Sequence, residues 1–71
     1  MNKERRKRIR DAIRRIEDLV QDILDDEVDA FENMPESLQS SDNGMVSEDA
    51  QDSLEAAIDA LEEAISCLEE I

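Results

Sequence analysis

Several chemically useful side chains are scarce or missing in this chain of 71 residues. It has no histidine, tryptophan or tyrosine and a single cysteine, Cys67. One cysteine cannot form a disulfide within the chain, and without histidine there is no Cys/His zinc site. The usual general base is missing, and the one thiol has no imidazole to activate it. We therefore expect a protein that is not an enzyme and holds no metal or cofactor.

Long apolar runs and aromatic residues are also lacking. No stretch approaches the roughly 20 apolar residues of a membrane span, and the N-terminal residues lack the apolar core of a signal peptide. Phe31 is the only aromatic residue, so the stacking platforms of single-strand nucleic-acid binders are missing. We expect a cytoplasmic protein that neither enters a membrane nor binds nucleic acid directly.

Charge is abundant and segregated along the chain. The formal net charge is −13, and all eight Lys and Arg residues lie in residues 3–15. Residues 16–71 contain 19 of the 21 Asp and Glu residues and no basic residue. The chain is therefore strongly acidic with one short basic segment.

Apolar residues in the first half recur in alternating steps of four and three, which predicts a helix with a coiled-coil seam. The predicted helix covers about residues 3–32. The strict heptad register would place Glu27 in the seam. An inserted four-residue step instead shifts the apolar line to residues beside Glu27 on the helix surface. The seam consists of Ile9, Ile13, Ile16, Val20 and Ile23, and its continuation of Leu24, Val28 and Phe31.

Residues 33–47 form the predicted connection, because they contain the only Pro and the only Gly. Pro35 suits the start of a short helical turn, with Met34 and Leu38 turned inward. Gly44 is predicted to supply a left-handed residue where the chain reverses. Ser47 is predicted to cap a second helix over residues 48–71. The seam of that helix is Leu54, Ile58, Leu61, Ile65 and Leu68.

Charge favours an antiparallel hairpin of these two helices. A reversal brings the basic start of the first helix beside the acidic end of the second, and exposed ion pairs of this kind select orientation more than they add stability. The predicted pairs join Arg5, Arg8 or Arg15 to Glu62, Glu63, Glu69 or Glu70.

A second apolar line in the second helix widens its face beyond what one neighbour covers. It consists of Ala50, Ala57, Ala64 and Ile71. The predicted fold is therefore an all-α antiparallel hairpin that dimerises into a four-helix bundle. Its predicted core and dimer contact is Ile13, Ile16, Val20, Ile23, Leu54, Ile58, Leu61, Ile65 and Leu68.

The connection and part of the second helix carry a resemblance. Residues 29–41, with the central Asn-Met-Pro-Glu-Ser-Leu-Gln stretch, and the Ala-Ile-Asp-Ala-Leu-Glu-Glu-Ala-Ile run of residues 57–65 resemble small acidic helical-hairpin proteins of phages and prophages of Gram-positive bacteria. The resemblance implies an inhibitor of host machinery, such as an anti-defence or anti-CRISPR factor. It carries over no site residues.

Three functions remain open from the sequence. The leading hypothesis is a homodimer whose acidic helix faces imitate nucleic acid and bind a host protein, either a nucleic-acid-binding or a defence protein. The alternatives are a nucleotide-sequestering oligomer, in which Arg5, Arg8 and Arg15 bind the anion, and a structural or scaffold subunit. The predicted partner-binding residues are Asp22, Asp25, Asp26, Asp29, Glu48, Asp49 and Asp52.

Overall fold

Two long helices run antiparallel in the computed structural model, which describes residues 2–70. Helix α1 is Lys3–Glu32, α2 is the short helix Glu36–Gln39, and α3 is Asp42–Glu69; the described residues include no strand. Helix α1 packs along α3, and α2 also contacts α3. The molecule measures 54 × 15 × 10 Å. The prediction of an all-α helical hairpin is confirmed.

Helix α1 is capped at its start by a residue that the sequence analysis did not single out. The Asn2 side chain accepts a hydrogen bond of 2.8 Å from the backbone N–H of Arg5, which satisfies one of the free N–H groups of the first turn. The helix ends where the N–H of Asn33 donates to the carbonyl of Asp29 at 3.0 Å. Pro35 then disfavours helical backbone at the residue before it.

Helix α2 is tied to the end of α1 by the side chain of Gln39. Its Nε2 donates to the carbonyl oxygens of Phe31 and Met34, both at 3.1 Å. The Phe31 carbonyl also accepts from the backbone N–H of Met34 at 3.1 Å, so the Gln39 amide adds a second hydrogen bond there and supplies a donor to the Met34 carbonyl. Met34 is half-buried as predicted, but Leu38 is exposed rather than turned inward.

Helix α3 begins at Asp42, earlier than the predicted start at residue 48, and this changes the roles of two residues. Gly44 lies within the helix and does not have a positive φ. It is buried against α2: a Cβ at Gly44 would overlap the carbonyl group of Gln39 and lie 2.8 Å from its Cα. Glycine is therefore required here for a close approach and not for a left-handed turn. Ser47 is not the cap of this helix but a buried residue inside it.

The core of the hairpin is thin. Leu24 and Ile65 are the buried apolar side chains of residues 2–70, at 7% and 6% exposure. The half-buried residues around them mark the contact between the helices. They are Ile13, Val20, Val28 and Phe31 on α1, and Leu54, Ile58, Leu61 and Leu68 on α3.

Two residues predicted for the core lie outside it. Ile16 is 50% exposed and Ile23 is 47% exposed. The apolar stripe of α1 is wider than one neighbouring helix can cover, and α3 packs on the side centred at Leu24. The line of Ile9, Ile16 and Ile23, which lies about 60–100° around the helix from Leu24, is therefore left without a neighbouring helix.

Candidate protein-binding surface

The spacing of side chains gives the hairpin an apolar broad face. At about 100° per residue, the exposed apolar residues of α1 lie roughly 60–140° to one side of Leu24. The alanine line of α3 lies roughly 60–100° from Ile65 in the same rotational sense. In an antiparallel pair, equal rotations in the same sense lead to the same side of the pair. We call this side the apolar face: Ile9, Ile16, Leu19, Ile23, Ala50, Ala57 and Ala64. Ile71, which the sequence adds to the alanine line, lies outside the described residues.

The opposite broad face carries carboxylates from both helices. By the same arithmetic, these side chains lie about 80–160° to the other side of Leu24 and Ile65. We call this side the acidic face: Asp18, Asp22, Asp25, Asp29, Glu48, Asp52, Glu55 and Asp59.

Five of the seven residues predicted to bind a partner share this face. The other two, Asp26 and Asp49, lie at the outer edges of the hairpin by the same rotation. All seven side chains are exposed. The structure therefore brings acids that are far apart in sequence onto one surface, with the carboxylates available to a partner.

Negative charge is concentrated in the half of the hairpin near α2, which we call the loop end. Its residues, 16–57, include 14 Asp and Glu residues and no Lys or Arg. The α1 portion rises about 25 Å, so the loop end carries about one negative charge per 2 Å of its length. Duplex DNA carries one per ~1.7 Å. The one ion pair within residues 2–70 joins Lys7 to Asp11, outside the loop end.

The opposite end brings the basic segment beside the end of α3, but with different residues from those predicted. A cavity there is lined by Lys3, Arg6, Lys7, Arg10, Leu68 and Glu69. A second is lined by Arg14, Glu62, Ile65, Ser66 and Glu69. We call this half, residues 2–15 and 58–70, the basic end.

None of the predicted pairs of Arg5, Arg8 or Arg15 with acids of α3 forms among the described residues, where no ion pair joins the two helices. The reason is rotational, because α1 turns Arg5 and Arg8 toward the apolar face. Both line a groove there together with Ile9, Ala12, Ile13 and Ile16, whereas Arg15 is exposed outside that lining.

Two acids come together between the helices near the middle of the hairpin. Partial burial, and then the nearby charge of Glu62, raise the pKa of Glu17 above its ordinary value of 4.5. The buried Glu17 Oε2 has no hydrogen-bond partner among the described residues. At the basic end the effect is opposite, because the hydrogen bond and charge of Lys7 lower the pKa of Asp11. At neutral pH the ionised Glu17 is therefore destabilised by its burial and by repulsion from Glu62.

A polar contact that the sequence analysis missed joins the helices at the loop end. The Ser47 hydroxyl, at 3% exposure, donates a hydrogen bond of 2.7 Å to Glu27 Oε1. The strict heptad register places Glu27 in the seam. A carboxylate in a seam needs a hydrogen-bond donor on the facing helix, so this position could have predicted the contact.

The cysteine and the potential metal ligands among residues 2–70 are not gathered into one site. Cys67 is a free and exposed thiol. Within residues 2–70 no group of three potential metal ligands converges, and no described helix is long and apolar enough to span a membrane. Comparison with protein families, curated proteins and solved structures finds no match to this chain. The acidic face is therefore the candidate site on physical grounds alone.

Proposed function

We propose that this chain is a non-catalytic inhibitor that binds the basic, nucleic-acid-binding groove of a bacterial host protein. The observation that carries the proposal is the charge of the loop end, which approaches the linear density of duplex DNA without an internal counter-charge. Such a surface suits a groove built to bind phosphates.

The rigidity of the two helices adds to this argument. The acidic face holds carboxylates on long helices, so few backbone degrees of freedom are lost when a partner binds. Exposed charges of this density also steer a basic partner from a distance and speed association at low salt. An action on host defence is part of the proposal, because the expected resemblance of residues 29–41 and 57–65 to small phage proteins implies that setting.

A homodimer forming a four-helix bundle is part of the proposal. The core of one hairpin is small, and chains of this length rarely bury enough apolar surface alone. Pairing through the apolar faces would leave the acidic faces outward, apart from Asp22 and Asp29 near the outer edge of α1. The dimer would then present two equivalent binding surfaces.

The test is a charge-matched comparison on a partner captured from bacterial lysate. A variant with Asp25→Asn, Glu48→Gln and Asp52→Asn should bind that partner at least ~10-fold more weakly, because it removes three charges from the acidic face. The control changes Glu63, Glu69 and Glu70 to Gln, which removes the same charge at the basic end.

Binding of the unaltered protein should weaken steeply between about 50 and 200 mM salt, and DNA should compete with it. Equal binding by the two variants, or affinity that does not respond to salt, contradicts the electrostatic mechanism.

The groove that contains Arg5 and Arg8 favours the nucleotide-sequestering oligomer as the second candidate, since two guanidinium groups border one concave surface. Calorimetry with a panel of nucleotides separates the two functions. Arg5→Ala with Arg8→Ala should abolish nucleotide binding if this candidate is correct and leave binding through the acidic face intact. A scaffold subunit would show neither activity.

A further inference from the structure

Four large apolar side chains of α1 on the apolar face are not covered by α3. Ile9, Ile16, Leu19 and Ile23 are 39%, 50%, 59% and 47% exposed along one line of the helix. Isolated exposed apolar side chains are common, but a continuous line of four large ones over two heptads is the pattern of a helix that packs against another helix.

The hairpin exposes more surface than a compact chain of the same mass. Its accessible surface is 5365 Å², whereas a compact monomer of 8.1 kDa exposes about 4,500 Å². The excess of about 900 Å² is close to the ~800 Å² that each partner buries in an interface of standard size. The elongated shape of 54 × 15 × 10 Å accounts for part of this excess, and the exposed apolar line adds surface that a second copy would cover.

Charge selects one of the two symmetric ways in which the apolar faces can meet. The loop end carries a net charge of −14, while the basic end carries eight basic and seven acidic residues, a net charge of +1. Parallel stacking of two hairpins places one loop end against another. Antiparallel stacking places each loop end beside a basic end. The antiparallel arrangement therefore avoids the largest repulsion, and it packs α1 on α1 of the second copy.

The central part of α1 is complementary to its own reverse. In an antiparallel coiled coil that pairs Ile16 with Leu19 of the second copy, the next core pair is Ala12 with Ile23, and the apolar seam ends where Ile9 meets Asp26. The flanking positions then bring Arg15 beside Asp22 of the second copy and Arg8 beside its Asp29. The two-fold axis repeats every pair, so four opposite-charge contacts border the seam.

We propose that a second copy of this chain occupies the apolar face in an antiparallel α1–α1 interface, with Ile16 and Leu19 at its centre and Arg8 and Arg15 paired with acids of the other copy. This inference rests on the homodimer of the proposed function and not on its inhibitory activity. It names the interface and its orientation.

The first experiment measures mass by analytical ultracentrifugation from 1 to about 100 μM, a range in which interfaces of this size commonly associate. The unaltered protein should reach twice 8.1 kDa. Ile16→Glu should raise the dimer dissociation constant at least ~30-fold, because it places a charge at the centre of the interface. Met45→Glu is the matched control: Met45 is 60% exposed and points away from the apolar face, so its dissociation constant should change less than about twofold.

A charge exchange tests the orientation without altering an apolar residue. Arg15→Asp and Asp22→Arg should each weaken the dimer by at least ~5-fold, and the double variant should recover the original affinity to within about twofold. Circular dichroism confirms that each variant keeps its helices.

Crosslinking gives a second measure of orientation. In a Cys67→Ser background, a mixture of Arg8→Cys and Asp29→Cys chains should form a disulfide between the two variants faster than either variant does with itself. A monomeric mass at every concentration overturns both the dimer and this interface. A dimer that survives Ile16→Glu, fails to recover in the charge exchange or crosslinks Arg8→Cys with itself overturns the interface alone.

Discussion

Replacing Gly44 by alanine separates two opposing effects of one methyl group. In the interior of an exposed helix the change stabilises by about 1 kcal/mol, because glycine has the lower helix propensity. At Gly44 the added Cβ would overlap the carbonyl group of Gln39 and lie 2.8 Å from its Cα. These are backbone atoms of α2, so no side-chain rotation relieves the overlap.

The steric effect should exceed the gain in propensity. Overpacking costs about 1–3 kcal/mol. Moving α2 away also weakens the two hydrogen bonds of 3.1 Å from the Gln39 side chain, which contribute about 1 kcal/mol each. We expect Gly44→Ala to destabilise the hairpin by about 2 kcal/mol, which lowers Tm by about 10 °C for a chain of this length.

Thermal unfolding followed by circular dichroism at one fixed protein concentration measures this change. The control is Ser53→Ala at an exposed position of α3, where alanine should be neutral or stabilising by up to ~0.5 kcal/mol. A Tm of Gly44→Ala equal to or above that of the unaltered protein would refute the close approach of α2 to α3.

Three further predictions concern polar contacts. Ser47→Ala removes the donor to Glu27 and should cost about 1–2 kcal/mol in urea unfolding at neutral pH; an unchanged midpoint would show that water replaces the hydroxyl. Gln39→Ala should lower the free energy of unfolding by about 1–2 kcal/mol, and the amide protons at the end of α1 should exchange faster with solvent; unchanged exchange would contradict the link. The raised pKa of Glu17 means that the folded state binds its proton more tightly than the unfolded chain, so the stability at this site falls as pH rises from 4.5 through the folded-state pKa. Glu17→Gln should therefore stabilise the protein at pH 7 and have no effect below about pH 4; the same gain at both pH values would exclude titration of Glu17 as the cause.

The helices were predictable because their cause is local and periodic. Steps of four and three define the two apolar seams, and the only Pro marks the connection. The start of α3 was not predictable by the same means. Ser47 has the residue type and the following acids of an N-cap, but the helix begins six residues before Glu48, because Gly44 can pack against the backbone of α2.

Which apolar line of α1 faces α3 was also beyond the sequence. Ile16 and Leu24 are both large and apolar, and both continue a helical stripe. Only the rotation of one long helix against the other buries Leu24 and exposes Ile16. The same rotation decides which arginines face α3, so the predicted ion pairs of Arg5 and Arg8 were wrong while the antiparallel direction was right.

The separation of the loop end from the basic end makes one hairpin a strong electric dipole. Opposite ends of a molecule 54 Å long differ by about 15 elementary charges. A single hairpin in the field of a basic surface would experience a torque that turns its loop end forward before contact. Two hairpins stacked antiparallel cancel that dipole, so the pair would approach with no preferred end and would meet the surface broadside. Self-association would then control the geometry of the first encounter as well as the number of binding faces.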